Sequence, residues 1–185
     1  MQKITAIKHE ETTGKVKELL DGVNAKLGFV PNMMATMASS PAVLEGYLNL
    51  SGALGTSLNA KLREQIALTV AEINGCQYCA SAHSAIGKMV GLDGVAIEAA
   101  RQAISSDAKT DAGLKFAKAL VISRGKVTES EIEAVKSAGF SEREISEIVA
   151  NVALNIFTNY FNETAKTVVD FPAVEFPLII KSANA

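Results

Sequence analysis

Cysteine is scarce in this chain, with two thiols, Cys76 and Cys79, among 185 residues. That scarcity excludes a small secreted scaffold held by several bridges and leaves a catalytic, redox-sensing or metal-binding pair, with two buried thiols that happen to be neighbours as the alternative. Histidine is equally scarce, at two. A Cys-x-x-Cys zinc site therefore finds no second Cys or His pair at ligand spacing. Excess charge is missing too: 18 Lys and Arg against 20 Asp and Glu give a net charge of −2, which makes no case for nucleic acid or an anionic membrane. No apolar run approaches the ~20 residues that span a bilayer, and Met1-Gln2-Lys3-Ile4-Thr5 lacks the apolar stretch of a secretory signal, so a cytoplasmic protein is expected. No Gly-rich phosphate loop, Ser-His-Asp arrangement or flavin fingerprint occurs. No Gly- or Ser-rich linker divides the chain, so residues 1–185 read as one domain.

What is present points to helices. Hydrophobic residues make up 48% and charged ones 21%, values that suit a globular core. Apolar residues recur at three- and four-residue steps almost throughout, which predicts an all-α fold. Val16, Leu19, Leu20, Val23 and Leu27 form one stripe, closed by Gly28. Phe29-Val30-Pro31-Asn32 reads as a turn into a segment containing Met33, Met34 and Met37. Those methionines read as core, with an apolar channel as the alternative. Ser40-Pro41 predicts a helix start through about Leu54, and a further helix is expected from about Ala60 to Asn74, ended by Gly75. Beyond the cysteines, helices are expected near Gly94–Ser105, Asp111–Arg124, Glu129–Ala138 and Glu142–Phe161. Thr128 with Glu131, and Ser141 with Glu144, have capping-box spacing. Phe157, Tyr160 and Phe161 read as packing residues, with packing across subunits as an alternative. The tail, about 168–185, is expected to be extended from Val168 to Ile180 and packed on a neighbour or on its own core. Arg63-Glu64 and Arg143-Glu144 open similar helices and hint at a duplicated helical unit.

The cysteines carry the chemistry. On a helix beginning near Cys76 or Gln77 and reaching about Val90, Cys76, Cys79 and His83 fall at about 0°, 300° and 340°, one narrow stripe. Cys79 and His83 are four apart, close enough to meet, while Cys76 cannot easily reach the ring. Both thiols lie in or beside the first turn, where unpaired N–H groups favour an anion. A free thiol of pKa ~8.5 is only a few per cent ionised at pH 7, and lowering that value by ~2 units takes roughly 2.7 kcal/mol. A helix end supplies only ~0.3–1 kcal/mol, so His83 as proton acceptor is needed as well. Helix-end stabilisation favours Cys76 as nucleophile, and reach to His83 favours Cys79. Glu64 and Glu72 on the preceding helix are the candidates to orient His83, Glu64 having exposure and pairing with Lys61 as its alternative. His9 is expected in an exposed N-terminal segment without a role.

The pattern Glu64, eleven residues, Cys76-x-x-Cys79, three residues, His83 resembles the AhpD-like alkylhydroperoxidase branch of the carboxymuconolactone decarboxylase family. Gly28-Phe29-Val30-Pro31-Asn32, Ser40-Pro41, Leu62-Arg63-Glu64 and Asn74-Gly75 agree, and the likeness covers about residues 28–161. It implies an AhpD-like helical bundle, a homo-oligomer (trimer or hexamer) with the site near a subunit contact, and no metal or cofactor. It implies that Cys79 is the peroxidatic cysteine, Cys76 the resolving one, and His83 with Glu64 a proton relay. A hydroperoxide would oxidise Cys79, Cys76 would close a disulfide, and a lipoyl or thioredoxin-like dithiol donor would reopen it. Where that relay commonly has another histidine, this chain has Tyr78, a poor base at neutral pH. The alternatives are a redox sensor without turnover and the family's lyase chemistry, which has no need of two thiols.

Overall fold

The computed structural model describes residues 2–177. Residues 178–185, including the expected extended stretch over 178–180, lie outside them. A short 3₁₀ turn, His9–Glu11, precedes α1 (Gly14–Leu27), α2 (Asn32–Met37), α3 (Pro41–Leu54), α4 (Ala60–Ile73), α5 (Gln77–Met89), α6 (Gly94–Arg101), α7 (Ala108–Ser123), α8 (Glu129–Ser137) and α9 (Glu142–Ala165). The fold is all-α, with no strand among the described residues. No helix among them is long and apolar enough to cross a membrane.

Local chemistry sets the helix ends. Gly28 stops α1 at φ 80°, a left-handed conformation that side chains disfavour. Both capping boxes form, each hydroxyl accepting from the N3 amide while the N3 Glu accepts from the cap residue's own N–H. Ser40 departs from expectation: its side chain makes no capping bond, and Pro41 alone starts α3. The Met-rich segment is itself a short helix, α2. The expected Gly94–Ser105 helix stops at Arg101, because Ala103 turns left-handed at φ 60°. α7 starts three residues earlier than Asp111, at the Asp107 cap, which accepts from Thr110 N. α9 runs one turn beyond Phe161, to Ala165.

α4 is the central helix and packs on α5, α6, α7 and α9. Its residues 65–71 are buried without a break. One core joins Leu62, Ile66 and Val70 of α4 to Leu114, Phe116, Val135, Ile148 and Val152. The other joins Leu20, Met33, Met37 and Leu44 to Tyr78 and the two cysteines. The extended segment after α9 packs against this second core through Val169, Phe171, Val174 and Phe176. It is pinned at three places. Asn32 N donates to Asp170 (2.7 Å), Val174 N donates to Ser81 Oγ (3.4 Å), and the buried Arg101 donates to the Glu175 carbonyl (2.8 Å) with its guanidinium over the Phe176 ring. His9 is half-buried, paired with Asp21 of α1 at 2.6 Å.

Candidate active site

The tight link between α4 and α5 builds the site. Gly75, at φ 72°, turns the chain so that Cys76 caps α5, and Cys76 Sγ accepts from Cys79 N at 3.3 Å. The two helices then lie against each other, and Glu64 in the second turn of α4 meets His83 in the second turn of α5. Glu64 Oε2 lies 2.7 Å from His83 Nδ1. An ionised carboxylate only accepts, so Nδ1 carries the proton and Nε2 of the neutral ring is left as the basic nitrogen. Glu64 thus pairs with His83, not Lys61. Glu72, the other candidate, pairs with Arg101 at 2.7 Å and does not orient the ring.

The two thiols have opposite electrostatics. Burial pushes the Cys79 thiol up, but the Cys76 S–H, the His83 charge and the Asn162 and Asn159 amides together overcome it, bringing the group from 9.0 to about 7. Cys76 is driven up, first because its proton is held by Cys79 and second by burial. His83 is raised as well: burial disfavours its charge, and the Glu64 carboxylate outweighs that. Cys79 and His83 do not bond directly, although their spacing allows it. Cys79 Sγ instead takes a hydrogen bond from Asn162 Nδ2 at 3.3 Å, and His83 acts on the sulfur through its charge.

Asn159 and Asn162 were not legible as site residues. They end a row, Asn151, Asn155, Asn159 and Asn162, on the buried side of α9. Tyr47 of α3 is a further unanticipated neighbour. Its phenol is pushed up by burial and lies within electrostatic range of Cys79 and Glu64. Tyr78 also lines the cavity and lies within electrostatic range of Cys79, but its hydroxyl is engaged, accepting from Met33 N at 3.2 Å, and its ring is set edge-on to Phe171. Burial raises its pKa too.

Cys79, His83 and Glu64 all line a cavity of about 410 Å³. Met33, Met34, Tyr47, Leu54, Ile86 and Phe171 make its walls predominantly apolar. Met33 and Met37 are core residues, so both readings of the methionines hold in part. Cys79 is only 2% exposed, so a reactant reaches it through this cavity; Cys76, at 0%, is not part of the lining. Within the single chain Phe157 and Tyr160 are exposed at 40% and 62%, so they do not pack in its own core, whereas Phe161 is half-buried. Among the described residues no three His, Cys, Asp or Glu side chains cluster so as to hold a metal ion.

Residues 41–121 match the carboxymuconolactone decarboxylase family. The structure is similar to an uncharacterised peroxidase-related protein from Silicibacter sp. TM1040 (25% identity, TM-score 0.77, covering 89% of this chain and 91% of that one). It is also similar to the alkylhydroperoxidase AhpD core of a peroxidase-related protein from Ralstonia eutropha JMP134 (22%, 0.82, 91% and 92%). A third likeness is to a cysteine-to-alanine variant of the debrominase Bmp8 in complex with 2,3,4-tribromopyrrole (23%, 0.77, 90% and 91%). No functionally curated protein matches the chain.

Proposed function

With its carboxymuconolactone decarboxylase family segment and its AhpD-like helical fold, this chain is, we propose, a thiol peroxidase that reduces organic hydroperoxides through a Cys76–Cys79 disulfide. The observation that carries this reading is a thiol near pKa 7 at the wall of an apolar cavity, beside a carboxylate-oriented imidazole. Cys79 is the attacking thiol. Its thiolate takes the terminal peroxide oxygen, the O–O bond breaks, and the alkoxide leaves as alcohol with a proton supplied by way of His83. The sulfur loses two electrons and the peroxide gains them. Cys76 then attacks the sulfenic sulfur, the S–S bond forms, and the oxygen departs as water. A dithiol donor, lipoyl or thioredoxin-like, returns the two electrons. The cavity's apolar lining favours an organic over a purely inorganic peroxide. Exposed Phe157 and Tyr160 fit the homo-oligomer, trimer or hexamer, that the resemblance implies.

The test is peroxide consumption by wild type and Cys79→Ser with cumene hydroperoxide, hydrogen peroxide and several dithiols. Turnover by wild type and none by Cys79→Ser is expected; equal rates would sink the reading. A second reading keeps the dithiol and changes the acceptor. The likeness to a debrominase and the aromatic cavity wall favour an aryl halide, reduced with release of bromide while the cysteines become a disulfide. Bromide release from 2,3,4-tribromopyrrole in the absence of peroxide turnover would select it.

A further inference from the structure

The asparagine row on α9 divides into two halves. Asn151 Nδ2 donates to the Glu147 carbonyl at 2.8 Å, and Asn155 Nδ2 donates to the Asn151 carbonyl at 2.8 Å, the ordinary back-bond of such a residue within a helix. Asn159 and Asn162 make no such bond. Asn159 is 0% exposed, with its Oδ1 accepting from Asn74 Nδ2 at 3.0 Å, which leaves Nδ2 as its free end. Asn162 is 2% exposed, with its Nδ2 donating to Cys79 Sγ, which leaves Oδ1 as its free end. Asn162 Oδ1 has no hydrogen-bond partner, and Asn159 Nδ2 has none at full geometry, although it lies near enough to Cys79 to favour the anion. Buried polar groups are nearly always paired, so an orphan donor and an orphan acceptor, side by side at one reactive sulfur, call for a physical reason.

The pair is complementary to something the sulfur becomes. A thiolate wants donors, and Asn162 already supplies one. A sulfenic acid presents an oxygen that accepts and an O–H that donates, matching the free Nδ2 of Asn159 and the free Oδ1 of Asn162. Amides also keep their donors at every pH, unlike an imidazole, and here the Tyr78 hydroxyl is engaged with Met33 N.

We propose that Asn159 and Asn162 form an amide cradle that holds the Cys79 thiolate and then receives the oxygen placed on its sulfur. Asn162 touches the reacting atom; Asn159, fixed by Asn74, is a positioning residue. The chemistry adds no new reactant. The peroxide O–O bond breaks as the S–O bond forms, the alkoxide leaves, and the cradle holds the resulting S–OH until Cys76 displaces its oxygen. The lowered pKa of Cys79, to which both amides contribute, agrees with the first half. The second half rests on the peroxidase reading, and the first does not.

The experiment uses a Cys76→Ser background, so that Cys79 is the one thiol, with Asn162→Ala, Asn162→Leu and Asn159→Leu added separately. Two quantities are read: the pH midpoint of iodoacetamide alkylation, and the persistence of dimedone-trappable sulfenic acid after one equivalent of cumene hydroperoxide. Losing the Asn162 donor should raise the midpoint by about one unit or more, a tenfold fall in thiolate fraction at lower pH. Asn159→Leu should raise the midpoint by less than the Asn162 change does, and should shorten the sulfenic acid's life severalfold, with sulfinic acid appearing by mass spectrometry. Asn162→Asp adds a charge that repels the thiolate and raises the midpoint by itself, so Asn162→Ala serves should the leucine variant fail to fold. An unchanged midpoint in a folded Asn162→Leu or Asn162→Ala variant overturns the proposal. A shifted midpoint with unaltered sulfenic acid persistence overturns its second half. Alkylation needs no turnover, so the cradle can stand where the peroxidase reading fails, and the converse also holds.

Discussion

Iodoacetamide reacting with the folded protein tests the balance of influences on Cys79 directly. Burial is the largest single influence and opposes ionisation, so the net fall from 9.0 to about 7 is a small difference between large opposing effects. Two units correspond to ~2.7 kcal/mol of preference for the anion. At pH 7 that leaves about half of Cys79 ionised, against roughly 1% for a thiol at 9. The rate does not rise fifty-fold, because a less basic thiolate is a weaker nucleophile; with a Brønsted slope of ~0.4–0.5 the net advantage is about five- to eightfold. The midpoint of the profile is therefore a sharper observable than the rate. Wild type should consume one equivalent per chain with a midpoint near 7, and in denaturant two equivalents at the ordinary value of ~8.5. His83→Gln should raise the folded midpoint by about one unit or more, since an adjacent opposite charge is worth ~1–3 units. A wild-type midpoint near 9, or one indifferent to His83→Gln, would refute the reasoning. In the first case burial would have prevailed over every favourable neighbour.

Three further outcomes are expected. The folded pKa of His83 is raised, so its contribution to stability is complete below about pH 6.5 and is lost as pH climbs through the raised value. The resistance of wild type to chemical denaturation should fall over that climb, and His83→Gln should flatten the fall; an identical pH dependence would contradict the Glu64 pairing. Arg101→Met removes a buried ion pair with Glu72 and the bond to Glu175, and should lower stability by about 3 kcal/mol while increasing proteolysis after α9. Gly113→Ala places a Cβ 2.9 Å from Phe140 Cζ inside the core, and overpacking of that kind should reduce urea stability by about 1–3 kcal/mol.

Much of this was written in local signals. Capping boxes, Gly28, Gly75 and the apolar stripes gave most helices to within a few residues because those signals act over three or four positions. α2 is too short to show a period, and the end of α6 is set by Ala103, a residue type that carries no mark of a left-handed turn. At the site, Glu64 and His83 met because α4 and α5 are joined by one tight turn, so sequence distance translated directly into space. Asn162 lies 83 residues from Cys79, and only the packing of α9 on α5 unites them. A search for apolar periodicity passes over asparagines by construction. The signal that was there is a poor helix former repeated at 151, 155, 159 and 162 on one side of a long helix.

On the peroxidase reading proposed above, the unequal placement of the sulfurs has a bearing on how a Cys76–Cys79 disulfide would be reduced. Only Cys79 borders the open space; Cys76 is enclosed by protein on every side. A bridge between them is open to collision from one direction, so an incoming thiolate strikes Cys79 and expels Cys76. Burial disfavours the Cys76 thiolate, and a sulfur that must depart as a buried anion is a sluggish leaving group. Single-thiol reductants of the surrounding medium would meet a slow first displacement that readily runs backward. A carrier with two thiols on one slender arm finishes the exchange before reversal, so the burial of one cysteine selects the kind of molecule able to reset the other.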